Sequence, residues 1–128
     1  MSPLRVRREP APDDGLFVVR GDELVAETLR RDAIRTYRRF DEYGVSVLGA
    51  SAEADIDELA GGVLRRFEVL TVMTAGALRR SGVELRPTFR RPHYTVMLPD
   101  LDEDIFRLLR CDNERRVNDY YKPEELQP

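Results

Sequence analysis

Tryptophan is absent from this 128-residue chain, and cysteine, histidine and lysine occur once each, as Cys111, His93 and Lys122. A single cysteine excludes an intramolecular disulfide and any zinc site made of several thiolates from one chain. Such sparing use of cysteine fits a reducing compartment. No run approaches the roughly 18–20 apolar residues of a membrane helix. The charged start Met1-Ser2-Pro3-Leu4-Arg5-Val6-Arg7-Arg8 has no apolar stretch behind it, so no secretory signal is expected. Together these features point to the cytoplasm, with no membrane partner. The glycine-rich phosphate loop, the GxSxG elbow, HExxH, CxxC and the EF-hand loop are all missing, so the sequence offers no metal site.

Hydrophobic residues make up 41% of the chain, which is too apolar for a disordered protein, and the length suits one core. The net charge is −3, yet of the 21 basic residues only Lys122 is not arginine. A coding bias toward arginine explains this without function. A functional excess would exploit the planar five-donor guanidinium, which grips phosphates and carboxylates as lysine cannot.

Along the chain, residues 1–14 hold Pro3, Pro10 and Pro12 among charges and are expected to be a flexible arm. Short apolar runs at Leu16–Val19, Val45–Ala50 and Val69–Met73 predict strands. The spacing of Leu29, Ala33, Tyr37 and Phe40 predicts a long helix over 23–43, with Asp22 as N-cap and Gly44 as terminator. Asp55 and Glu58 have capping-box spacing ahead of a second helix that Gly61-Gly62 weakens. Ala75–Ser81 reads as a short helix closed by Gly82, and Asp100 with Glu103 opens a last one ending near Cys111. Val83–Phe89 and His93–Leu98 form a hairpin around Arg90-Arg91-Pro92, and Pro87, lacking an N–H, puts its first strand at a sheet edge. The expected fold is therefore α+β. It is one domain over 15–111, a mixed sheet of about five strands with one long and two or three shorter helices, followed by a polar tail over 112–128.

The densest chemical cluster is the hairpin. Arg86, Arg90 and Arg91 supply guanidiniums, Phe89 and Tyr94 supply rings, and His93 is the sole imidazole, with an unperturbed pKa of about 6.5 that suits proton transfer near neutrality. The bland alternative is a solvated turn with its aromatic rings packed inward. Arg20, at the end of an apolar strand and before Gly21, is a second candidate anion holder. The mixed charges of the long helix and the negative total charge argue against sequence-specific DNA binding.

Two resemblances follow from these residues. The series Val18-Val19-Arg20-Gly21, Val45-Ser46-Val47 and Phe67-Glu68-Val69-Leu70 is similar to the arginine, serine, glutamate order of mono-ADP-ribosyltransferases. That likeness implies NAD as substrate, with Arg20 on its phosphates, Ser46 on a second strand and Glu68 stabilising the cationic sugar; Arg66 stands where the family has Glu or Gln. Over most of its ordered length the chain also resembles short uncharacterised proteins of high-GC Gram-positive bacteria, through residues 18–21, Gly44-Val45-Ser46-Val47 and Pro92-His93-Tyr94 leading to Leu98-Pro99-Asp100.

The expectation that needs fewest special residues is a small cytoplasmic binding protein without cofactor, one component of a toxin–antitoxin-like pair. It would engage RNA or an acidic protein through Arg86, Phe89, Arg90, Arg91 and Tyr94. The enzymatic alternative is a toxin-like transferase using Arg20, Ser46 and Glu68, or a ribonuclease using Arg20, Arg90 and His93. A third alternative is a homodimer joined along the Pro87 edge or through the tail tyrosines.

Overall fold

The computed structural model describes residues 3–123. Its centre is a six-stranded sheet made of β1 (Phe17–Gly21), β2 (Gly44–Ala50), β3 (Val69–Thr74), β4 (Glu84–Pro87), β5 (His93–Met97) and β6 (Glu114–Val117). The strand order is β4-β5-β2-β1-β3-β6. Every neighbouring pair is antiparallel, so the α+β class stands while the expected mixed sheet of about five strands becomes an antiparallel one of six. Four helices join the strands: α1 (Ala26–Phe40), α2 (Glu53–Gly61), α3 (Ala75–Ser81) and α4 (Leu101–Leu109).

Alternation along the strands gives the sheet two apolar faces. On one face Val18, Val45, Val47, Leu85 and Val96 meet α1, α3 and α4 through Leu29, Ala33, Leu78, Ile105 and Leu108. On the other, Val19, Ala50, Leu70 and Val72 meet α2 through Ile56 and Ala60. Each such fully buried aliphatic side chain stabilises the fold by about 1.5–3 kcal/mol. The second face has α2 packed on the end of β2 and on the apolar residues of β1 and β3. Toward β5 and β4 its surface carries Ser46, which is exposed, and Leu48 and His93, which are half-exposed.

Several boundaries shift for local reasons. Helix α1 starts at Ala26 and not after Asp22, because Asp22 takes a positive φ of 72° and its carbonyl accepts from the Thr71 hydroxyl. It ends at Asp41, in the left-handed region with φ 62°, ahead of Gly44. Asp55 caps α2 from within, accepting the Ala52 N–H at 3.1 Å, and Asp104 does the same for the Asp100 N–H at 2.9 Å. The Thr74 hydroxyl accepts from Ala77 to open α3, and Gly82 closes it with φ 95°, as its glycine implied.

Two segments expected to lie outside the domain are part of it. Residues 4–9 run along β4: Val6 bridges Thr88, the Arg7 N–H donates to the Pro87 carbonyl at 3.0 Å and the Phe89 N–H to Arg5 at 2.8 Å. Leu4 is buried there, so the expected flexible arm is a strand-like strip over the Pro87 edge. Beyond Cys111, β6 pairs with β3, and the buried Asn118 donates its amide to the carbonyls of Ala60, Leu64 and Phe67 at 3.0–3.2 Å. Those carbonyls lie at the end of α2 and in the turn after it, where the helical ladder has run out; the Leu64 carbonyl also accepts the Phe67 N–H at 3.1 Å. The arm's first two residues and the last five of the tail lie outside the described residues.

Candidate functional site

Arg20 does not stand open at a strand end. Its guanidinium donates to the Asp32 carboxylate on α1 and, at 2.9 Å, to the Ser46 carbonyl, leaving the side chain 12% exposed. Gly21 admits no ligand beside it, because the Phe67 ring already occupies the space a Cβ would need. The register then separates the other candidates. Val19 is paired with Leu48, and Leu48 with His93, so these three share the α2 side of the sheet while Arg20 turns to the α1 side. Ser46 alternates with Leu48 onto the same face as His93, which puts its hydroxyl away from the Arg20 guanidinium. Glu68 is exposed before β3, and its carbonyl accepts from the Asn118 N–H. The expected clusters of Arg20 with Ser46 and Glu68, or with Arg90 and His93, are therefore not assembled.

The hairpin fares differently residue by residue. Arg86 is held by Glu84 and by Glu42 at 3.1–3.2 Å, which raises its pKa, and Arg91 pairs with Glu9 at 3.1 Å. Tyr94 is 8% exposed, its ring lying on Gly49 and under the Arg7 guanidinium, so it offers no surface to a partner. Phe89 and Arg90 remain. Phe89 is half-exposed at a positive φ of 56°, and Arg90 is exposed with no carboxylate partner among the described residues.

Around Phe89 the chain assembles what the linear sequence did not show. The Phe40 ring from the end of α1 lies 5.4 Å away, and the His93 ring 5.1 Å away and edge-on. Arg39 places its guanidinium over Phe40 at 5.3 Å, and Arg5 of the arm is tied to the Phe89 N–H through its carbonyl. Arg5 and Arg39 are exposed, and like Arg90 neither meets a carboxylate among the described residues. Asp41, which follows Phe40 in the chain, raises the Tyr37 hydroxyl pKa through its charge and a hydrogen bond. The corner thus joins three half-exposed rings to the Arg39 guanidinium over Phe40, with the exposed Arg5 and Arg90 brought to Phe89 by the backbone.

His93 anchors this corner from below. Its Nδ1 and the Thr88 hydroxyl are 2.8 Å apart, and the Thr88 hydroxyl is 2.8 Å from that of the buried Thr95. Burial pushes the imidazole pKa below its ordinary value, a hydrogen bond to the Thr88 backbone opposes that shift, and the Arg7 charge adds to it. Neutral histidine is the form the site favours, and Thr88, wholly buried, is not a nucleophile for outside substrates.

A groove of about 360 Å³ beside β4 is lined by Arg7, Glu9, Arg79, Glu84 and Arg86, but each charge is internally paired, and Arg79 with Asp14. Among the described residues no cluster of His, Cys, Asp and Glu could hold a metal ion, and no helix is long and apolar enough to cross a membrane.

The signal for Phe40 and Arg39 was present in the sequence only as the last turn of an amphipathic helix. Nothing local indicated that this turn folds against a hairpin about fifty residues away. Comparison with family models, with curated proteins and with solved structures yields no match.

Proposed function

We propose that this chain is a binding protein that holds an anionic chain molecule at the corner formed by the arm, the β4–β5 hairpin and the end of α1. One observation carries this: Phe40, Phe89 and His93 form one ring group, with the Arg39 guanidinium over Phe40 and the exposed Arg5 and Arg90 held next to Phe89 by the backbone. None of these arginines meets a carboxylate among the described residues, although the protein has a net charge of −3. Other arginines are matched by acids, as in Arg20 with Asp32, Arg30 with Asp102 and Arg116 with Glu53, while exposed ones such as Arg31, Arg65 and Arg80 meet neither a carboxylate nor an aromatic ring among the described residues. Unpaired positive charge beside an aromatic group attracts anions there and also steers their approach. Binding asks nothing further of the residues, whereas the transferase and ribonuclease alternatives need Arg20 in a shared cleft, from which Asp32 withdraws it.

The test is fluorescence anisotropy with two labelled polyanions, an oligouridine and an oligoglutamate, against the full-length protein and the variant Arg5→Glu/Arg39→Glu/Arg90→Glu. At least one polyanion binds the native protein, and the charge-reversed variant loses that binding. If neither binds, or if the variant binds as well as the native protein, the proposal fails.

A further inference from the structure

We infer that the anionic chain is a single-stranded nucleic acid, whose bases rest on the Phe40–Phe89–His93 aromatic group while its phosphates meet Arg5, Arg39 and Arg90. The inference rests on the binding function proposed above and names the ligand class for that corner. Charge alone does not distinguish a nucleic acid from an acidic protein, but the rings do. An acidic peptide needs only guanidiniums, and half-exposed phenyl rings between them would be an apolar cost with no partner. A base has a flat π surface that stacks on such rings whatever its identity, and guanidiniums beside it reach the flanking phosphates.

Three placements favour a single strand over a duplex. The rings are only half-exposed, so bases must be splayed out to reach them, as the stacked pairs of a duplex are not. The arginines come from three separate elements that meet at the rings, with Arg39 over Phe40, Arg5 bonded through its carbonyl to the Phe89 N–H and Arg90 next to Phe89 in the hairpin, so one strand passing over Phe89 comes within reach of all three. The exposed Ser46 shares its sheet face with His93, which extends the surface with a hydroxyl beyond the rings. Among the described residues no base-reading set of buried donors is present at this corner, so the binding is expected to tolerate sequence, with any preference set by stacking strength.

The experiment uses the full chain with a labelled oligouridine, a duplex RNA of equal length and an oligoglutamate. His93 is the only histidine, so its ring protons give isolated NMR signals that report on the aromatic group without any substitution. Oligouridine is expected to bind at least about tenfold more tightly than the duplex and to shift the His93 ring signals upfield. Phe89→Leu keeps an apolar side chain at the position and is expected to weaken oligouridine about tenfold or more, with an unchanged thermal transition. Should Phe89→Leu fail to fold, Phe40→Leu is the second variant with the same expectation. Equal binding of duplex and single strand, or an oligouridine complex that leaves the His93 signals unmoved, overturns the inference. Binding of oligoglutamate alone overturns it while the binding function stands, and binding of none of the three defeats both.

Discussion

Arg20 is closed against Asp32. The guanidinium of the first strand and the carboxylate of α1 form a largely buried pair, and the second arm of the same guanidinium rests on the Ser46 carbonyl. This one contact turns the residue that looked most like an anion holder into a strut between sheet and helix. Removing one partner of such a pair leaves the other charge poorly solvated, which costs more than the pair contributes. Asp32→Asn is therefore expected to lower stability by about 1–3 kcal/mol. Urea denaturation measures the loss, and oligouridine affinity is expected to stay at the native level.

Asn118 supplies a second structural prediction. Its side-chain amide serves three carbonyls, those of Ala60, Leu64 and Phe67, and its own oxygen accepts from the Tyr120 N–H. Asn118→Ala removes the side-chain donor from all three, the Leu64 carbonyl alone keeping the Phe67 N–H at 3.1 Å, and Asn118→Asp replaces the donor with a charge that repels them. The alanine variant is expected to lose about 2–4 kcal/mol, and the aspartate variant at least as much. Thermal or urea unfolding reads both.

The arm yields a prediction about dynamics. Arg7 donates to the Thr88 and His93 carbonyls and lies over the Tyr94 ring at 4.8 Å, fastening residues 4–9 to the β4 edge. Arg7→Ala is expected to loosen that strip while the rest of the sheet holds. Hydrogen exchange of the Phe89 amide, which donates to Arg5, is expected to accelerate at least about tenfold, whereas the amides of β1 keep their protection.

His93 makes stability depend on pH in a defined direction. Its folded pKa lies below the 6.5 of the free side chain, chiefly because the ring is partly buried, so the folded state binds fewer protons than the unfolded one just below that pH. The contribution is complete above pH 6.5 and is lost as the pH falls from there toward the folded pKa, below which it changes no further. An NMR titration of the single imidazole is expected to show the depressed value. A His93→Gln variant is expected to lose this part of the pH dependence of unfolding.

How far these features could be read from the residues depended on whether their causes were local. Pro87 lacks a ladder donor, and β4 is indeed an edge; Gly82 closes α3 because a left-handed residue must stand there. Strand β6 gave no such sign. Glu114-Arg115-Arg116-Val117 has no apolar run, since an outer strand held by backbone bonds to β3 and by Arg116 on Glu53 needs none. Residues 4–9 escaped for the same reason, with Leu4 and Val6 too few to show a period. The antiparallel order was hidden because a helical connection such as α1 suggests a parallel crossover, while here it returns the chain to the neighbouring strand in the opposite direction. In the site, Phe89 and Arg90 were identifiable from composition. The neutralisation of Arg91 by Glu9 and the approach of Phe40 were not, because both join segments that only the tertiary fold brings together.

The most direct measurement is the salt dependence of oligouridine binding to the native protein and to Arg5→Ser/Arg39→Ser/Arg90→Ser. Three guanidiniums on three phosphates of a single strand predict that log affinity falls against log salt with a slope of about −2, and that the triple variant binds weakly with a slope near zero. A native slope near zero, or a triple variant that retains the native slope and affinity, would contradict an anion site at this corner.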